Sequence, residues 1–254
     1  MRKLLFALLG TAAAGVAGYK LVIEPWWSRW GVDPDEAARR LPGDDLVPDA
    51  QGGDTRGITI AAPPEAVWPW LLQMGYGRGG WYSYDAMDMS GSSATEIRPE
   101  LQSLAVGELM PVAPRTGFEV KVLEPDRALV LYADTEMMQR QAEAARAGGE
   151  ADATPANLQA TGALMANAQP ADFAASWAFV LEPMEGGRTR LIERLRTRFG
   201  EGDKPWMKMT LPMMGFGVFV MVRRQLLGIR QRAESSVGRP AISEPEPQPE
   251  PAPA

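Results

Sequence analysis

Residues 58–84 contain the local pattern that most constrains the fold of this chain. The apolar triplet 58–60 has the composition of a short strand, and two prolines then occupy the first positions of a helix, where a missing N–H breaks no hydrogen bond. The helix predicted over 64–74 carries one apolar stripe at i, i+3, i+4 and i+7. Pro69 is expected to kink this helix or hold it to about two turns, and Gly75 to cap its end. A loop rich in glycine and tyrosine follows.

Histidine and cysteine are both absent from the 254-residue chain. Without cysteine there is no disulfide, no thiol nucleophile and no thiolate metal site. Without histidine there is no Ser-His-Asp triad, no imidazole base and no His-ligated metal, so acid–base chemistry would fall to Asp, Glu, Tyr, Lys or Arg. The net charge of −6 argues against a nucleic-acid partner. We therefore predict no metal, no cofactor and no nucleic acid.

An apolar run at the start of the chain extends over residues 4–23 and is interrupted only by Lys20. Twenty helical residues span about 30 Å, the thickness of the hydrocarbon core of a bilayer. Trp26, Trp27 and Trp30 follow directly, where an aromatic belt at the membrane interface is expected. This order favours an uncleaved single-pass membrane anchor, predicted over 1–30, and the alternative is a cleaved signal peptide.

The positive-inside rule gives conflicting signals for the side of the membrane. Arg2 and Lys3 favour a cytoplasmic amino end, with the domain outside the cytoplasm. The opposite orientation is favoured, by the same rule, by Lys20, Arg29, Arg39 and Arg40. We predict a protein of the cell membrane, with a preference for a domain outside the cytoplasm.

Composition divides the rest of the chain into segments. Residues 31–54, rich in Asp, Gly and Pro, predict a linker that packs in part on the domain. The globular domain is predicted over 55–235, and the acidic, proline-rich residues 236–254 predict an extended, disordered tail. Inside the domain, the Ala- and Gln-rich stretch 134–175 predicts a surface insertion between two strands, with one helix over 135–147.

Strand signals come close together after the aromatic loop. Alternating or turn-bounded segments predict strands at 105–112, 118–123, 128–132, 176–181 and 190–196. The turn at 185–187 between the last two is a strong hairpin signal. Residues 204–234 then predict a long helix, whose longest apolar stretch of about 12 residues suits a buried core helix rather than a membrane span. The sum is an α+β fold in which a sheet curves round the final helix.

These elements resemble the START-like or helix-grip superfamily, the SRPBCC group that includes pollen-allergen-type proteins and polyketide cyclases. The matching segments are LPGDDLVP at 41–48, the helix at 63–75, GRGGWYSYD at 77–85, VLEPDRALVL at 122–131 and the hairpin at 177–191. The resemblance is to a bacterial, membrane-anchored branch, and it covers residues 41–234 outside the insertion. It implies a helix-grip fold, with a curved antiparallel sheet around a long C-terminal helix, to which the apolar run adds a predicted N-terminal transmembrane helix. Members bind lipids, carry hormones or cyclise polyketides in one cavity, so the fold does not choose the function.

The aromatic loop contains the densest group of candidate ligand contacts. These are Arg78, Trp81, Tyr82, Tyr84 and Asp85. Aromatic rings supply apolar contact area, phenols can orient a ligand, and the guanidinium can pair with a carboxylate or phosphate. The alternative is that Trp81 and Tyr84 belong to the core and that Arg78 and Asp85 form a structural ion pair.

The register of the 176–196 hairpin decides a second group of candidates. A three-residue turn places Trp177, Phe179 and Glu193 on the apolar, concave face, with Arg194 and Arg196 outside, and a two-residue turn would reverse the faces. The first register buries fewer charges, so we predict that Trp177, Phe179 and Glu193 face the cavity. There Glu193 is either an acid or ligand anchor, or the partner of a core arginine.

Three functions are compatible with these features. The one we favour is binding of a hydrophobic small molecule or lipid in the cavity of a membrane-anchored START-like domain. The second is an enzyme of the polyketide cyclase or dehydratase type that uses Tyr82, Tyr84, Asp85 or Glu193 for proton transfer. The third is a non-catalytic interaction or envelope-maintenance module whose cavity is filled by side chains. The absence of histidine favours binding over catalysis, and the sequence leaves the question of catalysis open.

Overall fold

One antiparallel sheet organises the residues that the computed structural model describes, which are 18–86, 91–114, 116–147, 172–200 and 205–237. Within them the strands are β1 (Gly52–Ile60), β2 (Leu109–Ala113), β3 (Thr116–Glu124), β4 (Ala128–Asp134), β5 (Phe173–Met184) and β6 (Arg188–Phe199). Their order in the sheet is β1-β6-β5-β4-β3-β2. The first and last strands of the chain are therefore neighbours, and register shifts in the β2–β3 and β3–β4 pairs mark bulges that bend the sheet.

Helices cover both faces of this sheet. They are α1 (Glu24–Ser28), α2 (Pro34–Ala38), α3 (Pro64–Leu72), α4 (Thr135–Ala147) and α5 (Pro205–Val237), and a π-helical turn, Tyr19–Ile23, leads into α1. The 33 residues of α5 extend over about 50 Å. Helices α3 and α5 pack on the concave face, and α4 matches the helix predicted inside the insertion.

The proline-started helix ends earlier than the sequence predicts. It begins at Pro64 as expected, accommodates Pro69 in its interior and ends at Leu72, two residues before the predicted end. Gly75 therefore lies beyond the C-terminal cap rather than in it. Its φ of +119° and its backbone bridge to Gly80 show that it forms the base of the aromatic loop.

The β5–β6 hairpin has the register that the sequence predicts. Met184 pairs with Arg188 around a three-residue turn in which Gly186 and Gly187 both have positive φ. Phe179 consequently lies opposite Glu193, on the concave face. The apolar residues of this face form one core with α3 and α5. Its fully buried members include Ile60, Leu71, Met74, Leu129, Leu131, Phe179, Leu181, Leu191, Leu226 and Ile229.

The convex face is covered by the segment that precedes β1. Gly43, with a φ of +88°, lies so close to Val130 that a Cβ atom there would clash. Arg194, which we expected outside the cavity, does lie on this face, where it is only 5% exposed. Its guanidinium donates to Asp44 Oδ2 at 2.7 Å and to the carbonyl oxygen of Ala37 at 2.7 Å, because the covering segment folds over it. The predicted linker thus packs on the sheet for much of its length.

Several predicted segments lie largely outside the described residues. These are the apolar run at 4–23, of which only 18–23 are described, the second part of the insertion at 148–171, and the tail from 238 onward. In the part of the chain that the structure describes, none of the helices combines the length and the apolar character needed to cross a membrane.

Candidate functional site

Four aromatic side chains form a continuous wall on the concave face. Trp177 of β5 stacks on Trp81 of the aromatic loop, with ring centroids 5.4 Å apart and planes at 23°. Phe118 of β3 meets the Trp177 ring edge-on at 5.8 Å, and Phe179 lies 5.0 Å from it. Trp81 and Phe179 are buried, whereas Trp177 and Phe118 are partly exposed. Two rings of this aromatic wall, those of Trp177 and Phe118, therefore keep part of their surface exposed.

A buried carboxylate fixes the orientation of the central ring of the wall. The Nε1–H of Trp177 donates to Glu193 Oε1 at 2.7 Å, and Arg56 of β1 donates from Nη1 to Glu193 Oε2 at 3.2 Å. The side chains of Arg56 and Glu193 are both fully buried. Of the two roles expected for Glu193, the structure shows the partnership with a core arginine. Glu193 positions the indole, and both of its oxygens are occupied.

Arg56 also connects the sheet to the amino-terminal helix. It donates from Nη2 to Asp54 Oδ2 at 2.7 Å and from Nε to the carbonyl oxygen of Trp27 in α1 at 3.2 Å. Its guanidinium lies 5.7 Å from the ring centroid of Phe219 in α5. Burial raises the pKa of the Glu193 carboxyl and the pKa of the Asp54 carboxyl, and Arg56 opposes both shifts. One guanidinium thus pairs with two carboxyls whose burial disfavours their charged forms.

Arg78 and Tyr82, two of the predicted ligand contacts, instead support the loop from behind. Arg78 donates to the carbonyl oxygens of Leu72 and Leu101 at 3.0 Å and of Met74 at 3.2 Å, so it anchors backbone at the end of α3. Burial lowers the pKa of its guanidinium. Tyr82 is 1% exposed, has a φ of +56°, and donates from its hydroxyl to the carbonyl oxygen of Trp70 at 3.1 Å.

Tyr84 and Asp85 lie on the protein surface rather than at the wall. Tyr84 is 42% exposed. Asp85 accepts a hydrogen bond from Ser93 Oγ at 2.6 Å, and this hydroxyl oxygen in turn accepts from the backbone N–H of Tyr82 at 3.1 Å. The structure therefore brings together Trp81, Trp177, Phe179 and Glu193 from the predicted set and separates the other four from them.

Sequence reasoning missed Arg56, Asp54 and Phe118. Arg56 alternates with Ile58 and Ile60 along β1, and this period of two places all three side chains on one face. The signal was hidden because the predicted strand began at residue 58, whereas β1 begins at Gly52. Phe118 stands in a predicted strand, but nothing local to it indicates that it meets Trp177.

The arrangement favours apolar binding over proton transfer. Burial raises the pKa of Tyr82 to about 12, and its hydroxyl proton is directed at a backbone carbonyl. Glu193 has a raised pKa but no oxygen directed at a free surface, because Trp177 and Arg56 occupy both. Among the residues that the structure describes, no three Asp or Glu side chains come close enough to hold a metal ion.

Comparisons with known proteins yield only distant structural likenesses. No protein-family model matches the chain, and no curated protein matches it in sequence. The chain is similar to a solved protein from Mesorhizobium loti (17% identity, 73% of this chain and 98% of that chain covered, TM-score 0.36). It is similar to a Polyketide_cyc-like protein from Corynebacterium glutamicum, with 16% identity, 73% of this chain and 93% of that chain covered, and a TM-score of 0.36. It is also similar to an Aha1 dimer from Colwellia psychrerythraea, with 13% identity, 71% of this chain and 99% of that chain covered, and a TM-score of 0.27. These values are too low to carry an argument about ligand or activity.

The architecture itself is more informative than these neighbours. A curved antiparallel sheet has its first and last strands side by side, and a short helix and a long carboxy-terminal helix pack on its concave face. This is the α+β, helix-grip type of arrangement that the sequence predicts. In this helix-grip arrangement the aromatic wall lies on the concave face, the side of the sheet that also carries α5. Such a fold hosts many functions, and membership of the SRPBCC group and of its membrane-anchored branch stays a prediction.

Proposed function

We propose that this protein binds a hydrophobic small molecule or lipid against the aromatic wall, between the sheet and α5. The observation that carries the proposal is that Trp177 and Phe118 stay partly exposed although they pack against the buried core of the concave face. Aromatic rings supply large apolar contact areas with few rotatable bonds, which suits them to ligand pockets. An apolar molecule that covered these two rings would remove their remaining surface from water.

The fixed geometry of the wall also supports a binding role. Trp177 is held by stacking on one side and by the hydrogen bond to Glu193 on the other. A ring that is already ordered loses little conformational freedom when a ligand covers it, so more of the contact energy appears as affinity. The buried ion pair with Arg56 contributes to this preorganisation, since it fixes the carboxylate that holds the indole.

The experiment compares two aromatic side chains on opposite faces of the sheet. The full chain in non-ionic detergent is titrated with a fluorescent polyene fatty acid, and the affinity is measured for the wild type and for two variants. Phe118→Leu removes a ring from the wall, whereas Tyr132→Leu removes a partly exposed ring that stands on the convex face of β4. Losing a ring contact worth roughly 1 kcal/mol predicts about five-fold weaker binding for Phe118→Leu. Tyr132→Leu should bind like the wild type.

Two results would contradict this proposal. The first is absence of saturable fatty-acid binding by the wild type, which would favour an interaction module with a filled interior. The second is an equal loss of affinity in the two variants, since this would separate binding from the aromatic wall. Circular dichroism of both variants checks that each retains the fold.

The same proposal includes attachment to the cell membrane through residues 4–23. The apolar length of this run and the exposed Trp26 that follows it support a single-pass anchor, whereas Trp27 is buried in the domain. The test is extraction of native membranes with alkaline carbonate, which releases peripheral proteins and leaves spanning ones. We expect the full chain to stay in the membrane fraction and to keep its complete mass. Release, or a mass that lacks the apolar run, would refute the anchor.

A further inference from the structure

The first described residues and the middle of α5 together expose an apolar surface. Leu21 is 77% exposed, Val22 67%, Ile23 48% and Trp26 59%, and Phe216 of α5 is 44% exposed. We refer to these five side chains as the docking face. Contiguous apolar surface contributed by two separate elements marks a site of interaction with another apolar phase or molecule.

The docking face is fixed to the domain rather than carried on a loose linker. The Phe219 ring lies 5.4 Å from Trp26, 6.5 Å from Trp27 and 6.4 Å from Trp30. Arg56 holds the backbone of α1 through the carbonyl oxygen of Trp27. Any surface that receives the docking face therefore receives the whole domain in one orientation.

Arginines stand beside this apolar surface. Arg29 is exposed and lines a groove of about 440 Å³ together with Leu21, Trp26 and Trp30. Arg223 is exposed, and its guanidinium lies 5.1 Å from the ring centroid of Trp30. The whole chain has a net charge of −6, so the positive charge beside this apolar face is opposite in sign to the net charge of the protein. Tryptophan with arginine at an apolar rim is the combination found where proteins meet anionic headgroups.

The position of the docking face along the chain completes the argument. Residues 4–17 precede it directly and are apolar apart from small residues. We propose that the docking face rests on the surface of an anionic lipid bilayer, with Trp26 and Phe216 at the boundary of the acyl chains and Arg29 and Arg223 among the headgroups. This rests on the membrane attachment proposed above and goes beyond it, because it assigns a contact surface and an orientation of the domain that hold whether or not a ligand occupies the wall.

Seating the domain in this way brings the aromatic wall close to the bilayer. The carbonyl oxygen of Trp27 is linked through Arg56 and Glu193 to the indole of Trp177, by three successive hydrogen bonds. The helix that contacts the membrane and the ring that faces the ligand are thus joined by one buried chain of polar contacts.

The absence of cysteine makes a site-specific test direct. Gly217→Cys in the full chain adds a label on α5 beside Phe216, and a Cβ atom there meets nothing within 4 Å. Met184→Cys is the matched control, since it is 37% exposed in the β5–β6 turn. Met184 pairs with Arg188, whereas Arg56, which holds α1, pairs with Glu193, so the control lies five residues of β6, roughly 17 Å, from the level of α1. Each variant carries a bimane fluorophore and is reconstituted in nanodiscs containing anionic lipids and a lipid with a headgroup nitroxide.

The expected result is at least three-fold stronger quenching at position 217 than at position 184, reduced when neutral lipids replace the anionic ones. Equal quenching at the two positions would overturn the proposal. Quenching at neither position would also overturn the proposal. If, in addition, two copies cross-linked through the cysteine at position 217, the docking face would be a dimer interface. Fatty-acid binding by the same labelled variants reports separately on the aromatic wall, so the two proposals fail independently.

Discussion

Replacing Arg56 by methionine should destabilise the fold by an amount that depends strongly on pH. The substitution keeps the length of the side chain but leaves the carboxyls of Glu193 and Asp54 buried without their guanidinium. Breaking a buried ion pair by removing one partner costs about 3–5 kcal/mol. The lost hydrogen bond to the Trp27 carbonyl and the lost contact with Phe219 are included in that range.

The pH dependence follows from protonation of the stranded carboxyls. Without Arg56, the folded protein avoids an unpaired buried charge only if a carboxyl such as that of Glu193 takes up a proton. In the unfolded chain the same carboxyl has already lost its proton at any pH above its ordinary pKa. Holding one proton in this way costs about 1.4 kcal/mol for every pH unit above that value. We therefore expect a loss of about 1–2 kcal/mol at pH 5 that grows to about 3–5 kcal/mol at pH 8.

The assay is urea unfolding of the full chain in non-ionic detergent at both pH values. Arg78→Met is the matched control, because the hydrogen bonds of that half-buried arginine go to the backbone carbonyls of Leu72, Met74 and Leu101. Its loss should be the same at pH 5 and pH 8. An Arg56→Met loss that is also equal at both pH values, or that stays below about 1 kcal/mol, would refute the electrostatic role assigned to Arg56.

Three further predictions concern the same core. In the wild type, the pKa of the Glu193 carboxyl is raised by burial, so the free energy of unfolding should fall as the pH rises above about 4.5 and through the folded pKa. Glu193→Gln removes this carboxyl and should make the free energy of unfolding depend less on pH. An unchanged dependence would contradict the prediction. Tyr82→Phe should cost about 1 kcal/mol in urea unfolding without changing fatty-acid affinity, and weakened binding would place Tyr82 at the ligand. Gly215→Ala should cost about 1–3 kcal/mol, because its Cβ would lie 2.7 Å from the Trp27 ring. Gly217→Ala, with open space, should be neutral or stabilising, and equal effects of the two alanines would contradict this packing.

Features with a local physical cause could be predicted from the sequence. The hairpin register followed from a three-residue turn and from the need to keep charges off one face, and the paired residues confirm it. The helix Thr135–Ala147 and the long final helix Pro205–Val237 followed from composition and periodicity. The early end of α3 at Leu72 was missed, because a glycine three residues later looked like a cap.

The site was only partly predictable because its key contacts join distant parts of the chain. Glu193 was expected on the concave face, but its partner Arg56 lies 137 residues earlier in a strand whose first half, rich in Gly and Asp, has little strand propensity. Arg78 and Tyr82 were predicted as ligand contacts because they are a polar and an aromatic residue in a loop. Their hydrogen bonds to the backbone of α3 and its surroundings show that they support the loop, which no local pattern distinguishes from ligand contact.

The measurement that tests the central claim most directly is photo-crosslinking of the full chain with a diazirine fatty acid, followed by peptide mapping. A ligand held at the aromatic wall should label the β5 segment that contains Trp177 and the loop that contains Trp81, whose rings stack at 5.4 Å. Excess unlabelled fatty acid should suppress this labelling. Labelling that is confined to the first 30 residues, or that the competitor does not suppress, would show that the fatty acid reaches the protein only from the bilayer. That result would contradict a binding site on the concave face.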